Sequence, residues 1–238
     1  MQAFLAILQY DFGQLTRSWI SRIWVPLLVA PALALVFIAN NEAELASETM
    51  AFYMWAVLAP ISALAVAILA SGAINGEATI ASDSILSRSV TRTEYVTAKI
   101  ISRVGFTVAV YLAVVIPFSY LVIRYAAADT SLGGVIAGLL MVASMLIFLA
   151  TFGIAMSVTM SGVLPAVMVV LLVVTLSGAV LQFLGLSWMS TTAVIDQLPE
   201  TFRGHTAAWE QVRVLLVFNV MSILALFSSV WLFRRKDL

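Results

Sequence analysis

Cysteine is absent from this chain, and histidine occurs once, at His205. The first absence excludes disulfides, thiolate metal sites and thiol nucleophiles. The second leaves a zinc site without the further ligands it would need. Charge is scarce too: 10% of the 238 residues are Asp, Glu, Lys or Arg, against roughly 25% in a soluble domain. With a formal net charge of zero, nothing in the charge balance calls for nucleic acid as a partner. There is no Walker A sequence, no H-E-x-x-H and no G-x-S-x-G, the motifs that carry nucleotide binding or hydrolysis within one chain. The chain is therefore expected to be non-catalytic, with no cofactor or metal of its own.

What the sequence has instead is apolar length. Hydrophobic residues make up 63% of it, and the mean hydropathy is +1.08. A spanning helix needs about 20 mostly apolar residues. Such runs fall at 20–39, 51–74, 100–123, 132–159, 163–186 and 212–233. The expected fold is an all-α integral membrane protein, a single transmembrane domain over 1–238 with six spans. Ahead of them, 2–16 places Phe4, Leu5, Leu8, Phe12 and Leu15 at helical spacing, with Gln9, Asp11 and Gln14 off that stripe. This reads as an amphipathic helix lying on the membrane surface. It lacks a basic leader and a small-residue cleavage site, so it is expected to be retained. Pro26, Pro31, Pro60, Pro117 and Pro165 fall in or near spans, where neighbouring helices re-satisfy freed backbone groups.

Basic residues orient the bundle. An even number of spans puts both termini on one side, and that side collects Arg17, Arg22, Arg88, Arg92, Lys99, Arg103, Arg234, Arg235 and Lys236. The other side holds Arg124, Arg203 and Arg213. Nine against three is a positive-inside asymmetry that places both termini in the cytoplasm. The two longer loops are then a cytoplasmic one at 75–99 and an extracytoplasmic one at 188–211.

No span carries Asp, Glu, Lys or His near its middle. Proton relays and ion paths use such groups, so a proton- or sodium-coupled carrier is disfavoured. Arg103 stands near enough to the start of its span to snorkel. Ser62, Ser71, Gln182 and Asn219 are the polar groups expected to face protein, as interhelical hydrogen bonds or as lining of a substrate path. Such a path would be mainly apolar, aromatic and hydroxylic, which suits a lipid-like or amphipathic cargo or mechanical transmission. Gly134 and Gly138 form a G-x-x-x-G, a pattern that serves either packing within the chain or a dimer contact.

One polar stretch interrupts the oil: "SILSRSVTRTEYVTAK", Ser84 to Lys99. Ser82 or Asp83 can cap a short helix whose exposed face holds Ile85 and Leu86. As a solvated basic loop it would rest on anionic headgroups; as a docking segment it would seat on a partner. Its residue order resembles the loop after the second span in permeases of the ABC-2 class of ATP-binding-cassette transporters, often E-x-x-G-T-x-x-x-L-L-S-R-P-V-S-R-x-E-x-x-x-x-K. The matching positions are Glu77, Ile85, Leu86, Ser87, Arg88, Val90, Thr91, Arg92, Glu94 and Lys99. Ile80-Ala81 and Ser89 replace the family's Gly-Thr and Pro.

The resemblance implies an ABC-2, type V exporter-like architecture in the bacterial cytoplasmic membrane. The 75–99 loop would be a coupling helix on a cytoplasmic ATPase, itself binding ATP and Mg, with two ATPase copies. Glu77, Asp83, Ile85, Leu86, Ser87, Arg88, Arg92 and Glu94 would carry the contact, Ile85 and Leu86 filling an apolar pocket and Arg88, Arg92 and Glu94 orienting it. A second permease, copy or homologue, and an extracytoplasmic accessory subunit complete the implied assembly. The 188–211 loop would hold short, partly re-entrant helices, with Leu198, Phe202 and Trp209 as apolar support. Two other readings fit the same residues: a membrane anchor or assembly subunit that recruits a cytoplasmic partner, and an ATP-independent lipid scramblase.

Overall fold

A computed structural model describes residues 2–75 and 92–235. Among them the chain is helical, with one isolated bridge between Leu45 and Ala127. Six helices are long and apolar enough to cross a membrane. In chain order the elements are α1 (Gln2–Arg17), α2 (Trp19–Glu42), α3 (Ala46–Tyr53), a π-helical turn (Met54–Leu58), α4 (Ala59–Asn75), α5 (Arg92–Tyr125), α6 (Leu132–Thr159) and α7 (Val163–Phe183). Next come a 3-10 turn (Ser187–Met189), α8 (Thr191–Asp196) and α9 (Leu198–Arg203), and α10 (Ala208–Arg235) closes the bundle.

The central element is α6, the only long helix buried along most of its length among those described. It is apolar all round, as a helix enclosed by others must be, and it packs against α4, α5, α7, α9 and α10. Ser131 starts it by accepting a hydrogen bond from the Gly134 amide at 3.1 Å, which satisfies one of the free N–H groups of the first turn. Small residues let the backbones close. A Cβ built on Gly153 would stand 2.7 Å from the Ala70 Cβ, so α4 and α6 meet where only glycine fits. Polar side chains add cross-links: Trp24 Nε1 donates to Ser62 Oγ (3.3 Å), Tyr53 to the Leu28 carbonyl (3.2 Å) and Tyr111 to the Leu139 carbonyl (2.8 Å).

Prolines shape the spans locally. In the second span the Ala59 amide bonds back to the Met54 carbonyl, one residue further than in an α-helix. Pro60 supplies the cause, since its ring would collide with the carbonyl four residues earlier and it has no N–H to offer. Widening the turn relieves both problems. Pro165 instead sits in the first turn of α7, where its missing N–H has no partner to lose.

Several boundaries differ from the sequence reading, among them the second span, which starts at Ala46 rather than residue 51, and the fifth, which ends at Phe183 rather than 186. The third span extends from Arg92 rather than residue 100, because the helix continues back through Lys99, which is buried in an ion pair with Asp11. The last helix starts at Ala208 rather than 212.

Candidate functional site

Polar chemistry gathers at the two ends of the bundle. At the end where α1 lies, Asp11 is fully buried. Its Oδ1 receives Lys99 Nζ at 2.6 Å and Arg103 Nη2 at 3.2 Å, and Ser102 Oγ hydrogen-bonds to Oδ2. Lys99 also stands over the Tyr95 ring, 5.8 Å from its centre. The covered side of α1 is therefore Phe4, Ile7, Leu8, Asp11 and Leu15, whereas Leu5 is exposed and Phe12, partly exposed, sets its ring edge-on against Phe106 of α5. This corrects two expectations. Asp11 is not on a wet face of a surface helix, and Arg103 does not snorkel but is 9% exposed in an ion pair. The reason is mutual: each charge is buried because the other is there to compensate it.

At the opposite end, Arg203 of α9 joins three carboxylates. Its Nε donates to Asp129 Oδ2 (3.0 Å), Nη1 to Glu200 (2.8 Å) and Nη2 to Glu48 (2.7 Å). Asp129 also accepts from the amide of Ser47 at 2.9 Å and from its hydroxyl. The cluster ties α9 to α3 and to the turn before α6. Gly204, at φ 82°, ends α9 in a conformation that favours glycine. Burial pushes the Asp129 carboxyl up, but the Ser47 hydroxyl and amide and the Arg203 guanidinium outweigh it and hold the group below the usual carboxylate range. Hydrogen bonds from His205 and Arg203 lower Glu200 in the same sense.

A carboxylate with a depressed folded-state pKa contributes stability that is complete above its unfolded value, about 4, and is lost as pH falls through the folded value. Thermal unfolding of the detergent-purified protein should accordingly show Tm falling below about pH 4. R203Q should lower Tm at pH 7 and flatten that acid limb; an unchanged limb in R203Q would assign the acid sensitivity elsewhere.

Of the residues singled out in the sequence, Glu77, Asp83, Ile85, Leu86, Ser87 and Arg88 lie outside the described residues. Arg92 opens α5, and Glu94 is half-buried in its first turn. Ser62 bonds Trp24, and Ser71 is buried with no hydrogen-bond partner for its hydroxyl among the described residues. Gln182 and Asn219, expected to face protein, are exposed in the single chain. Asn219 donates one amide N–H to the Leu215 carbonyl of its own helix at 2.8 Å. Gly134 and Gly138 are buried beneath α9, where a Cβ would strike the Thr201 carbonyl and the Phe202 ring. Leu198 and Phe202 are fully buried there, but Trp209 is 66% exposed. Trp209 therefore gives the cap no internal support.

Sequence reasoning missed the Asp11 cluster and the Arg203 cluster. Asp11 had a signal: it stands four residues from both Ile7 and Leu15, on the face they share. Of the partners of Arg203, Glu200 had the spacing of an i, i+3 helix pair, whereas Glu48 and Asp129 had no signal, since they are remote in sequence from it.

The fold and its sites thus define a polytopic helical membrane protein. No family model matches the sequence, and neither curated proteins nor solved structures yield a match.

Proposed function

We propose that the chain is the permease subunit of an ABC-2-class ATP-binding-cassette transporter, coupling ATP hydrolysis on a separate ATPase to export or to mechanical transmission across a bacterial cytoplasmic membrane. Both termini would be cytoplasmic, the nucleotide and Mg would sit on two ATPase copies, and a second permease would complete the path. Support comes from the Glu77 to Lys99 signature together with the helix into which it runs. That helix, α5, carries Lys99 and Arg103, whose charges hold Asp11 of α1. A push on residues 76–91 would reach α5 at its first turn and pass through the ion cluster to α1. Two rigid elements would then move as one, which is how packed helices turn small local shifts into larger ones.

The test is a pull-down of tagged protein in mild detergent, with mass spectrometry and an ATPase assay on the eluate. The expected result is a co-purifying protein with Walker motifs that is lost in I85D/L86D while the variant still inserts. Elution alone, with no ATPase recovered by crosslinking or nucleotide, would refute the proposal.

A further inference from the structure

Between the ends of the bundle lies a cavity of about 620 Å³. It is within the range of about 300–1,000 Å³ typical of small-molecule sites, and several times the roughly 150 Å³ that suffices for a benzene ring. Its origin is visible in α7. The buried residues of that helix, Ala166, Val167 and Val170, all lie in its first half. From Leu171 onward α7 stands off from α6, and Leu171, Val174 and Leu181 face the gap. The π-helical turn forms another wall through Met54 and Leu58, while Met145, Leu149 and Phe218 make the floor. The cap closes one end with Thr192 and Ile195 of α8, and α8 approaches α7 so closely that a Cβ on Gly178 would sit 3.0 Å from Thr192 Oγ1.

We infer that this cavity binds a single hydrocarbon chain. Water is a poor occupant, because a buried water needs several polar partners and three of the four hydroxyls that line the space are already engaged. Thr175 donates to the Leu171 carbonyl at 2.9 Å, Ser177 to the Val174 carbonyl at 3.1 Å, and Thr192 is paired with Ser190 at 3.2 Å. No charged side chain lines the space, so a headgroup has nothing to meet inside it. The mouth opens sideways: Trp55 and Met221, which line the cavity, are 58% and 40% exposed. Both belong to spanning helices, so the mouth faces the depth at which acyl chains are the solvent. A chain can enter there while its headgroup stays outside. The occupant can be one tail of a membrane phospholipid or the tail of a single-chain amphiphile; the chemistry of the site is the same. The inference needs no ATPase and stands or falls apart from the transporter proposal.

The full chain in nanodiscs of dioleoyl-phosphatidylcholine, carrying either a phosphatidylcholine with a diazirine near the end of one acyl chain or a diazirine palmitic acid, tests it. After illumination, adducts mapped by mass spectrometry should concentrate on Met145, Leu149 and Phe218 above the level on the outward-facing Leu172 and Phe183. A63W, which fills the wall from a half-buried position, should cut the cavity adducts about tenfold, equivalent to about 1.4 kcal/mol of affinity, and leave the outer ones unchanged. L181W, at the far side, should do the same and guards against a folding defect in A63W. Labelling by the phospholipid probe names a membrane lipid as the source; labelling by palmitic acid alone names a single-chain amphiphile. Wild-type cavity labelling no higher than at Leu172 and Phe183 with both probes, or labelling that both tryptophan variants leave intact, overturns the inference.

Discussion

Asp11→Leu is expected to destabilise the protein by about 3–5 kcal/mol, the usual result of removing one partner from a buried ion pair. The carboxylate that Lys99 and Arg103 both face is fully buried, so water does not replace it. The first element to respond should be α1, which meets the bundle mainly through α5 and has this cluster in the middle of the contact. Because the chain has no cysteine, a single engineered one reports locally. In an L15C background, where the native residue is 2% exposed, a maleimide should react slowly in the parent and fast in D11L. D11N keeps the shape and loses the charge, and should fall between the two. Wild-type Tm and wild-type protection of L15C in D11L would show that α1 is held by its apolar face alone. If the coupling proposal is right, D11L should also keep the ATPase bound but lower its coupled activity, because only the link between α5 and α1 is cut.

Gly138→Val is the second large effect, expected at the other end. Gly138 lies under the Phe202 ring, which is fully buried. A branched side chain there must displace the ring, and over-packing of this kind costs about 1–3 kcal/mol. Phe202→Ala should itself cost about 3–5 kcal/mol through lost contacts and a cavity. The informative variant is the pair: G138V/F202A should be less destabilised than the sum, since valine grows into space the ring has left. Unfolding in detergent measures all three, and maleimide labelling of I195C, at a position 8% exposed, tells whether the cap has lifted. Strict additivity would mean that the two sites do not touch in solution.

Both variants probe contacts whose legibility in the sequence differed. Gly134 and Gly138 stood out as a small-residue pair, but one pattern serves a neighbour in the same chain or in another. Only the placement of α9 decides it. Asp11 was visible as a charge in an amphipathic helix, and its expected place on the wet face came from treating α1 as isolated. Once α5 supplies two cations, the same carboxylate belongs inside. Gln182 and Asn219 differ the other way: their polarity suggests a protein neighbour, and in the single chain both are exposed, with one N–H of Asn219 bonded within its own helix.

Six apolar helical segments were legible from the sequence alone, though not all of their ends, because in a bilayer every backbone group must bond within its own segment and apolar length marks the segments. The fourth span, 132–159, forms a helix with those same ends, since Ser131 caps its start and Ser161-Gly162 breaks its end. Tertiary structure decided which charges are buried, which glycines are covered and where α7 leaves the bundle. These depend on contacts between residues remote in the chain, Asp11 with Lys99, Arg203 with Glu48, Gly138 with Phe202. Hydrophobic periodicity reports the face a helix buries, and not the partner that covers it.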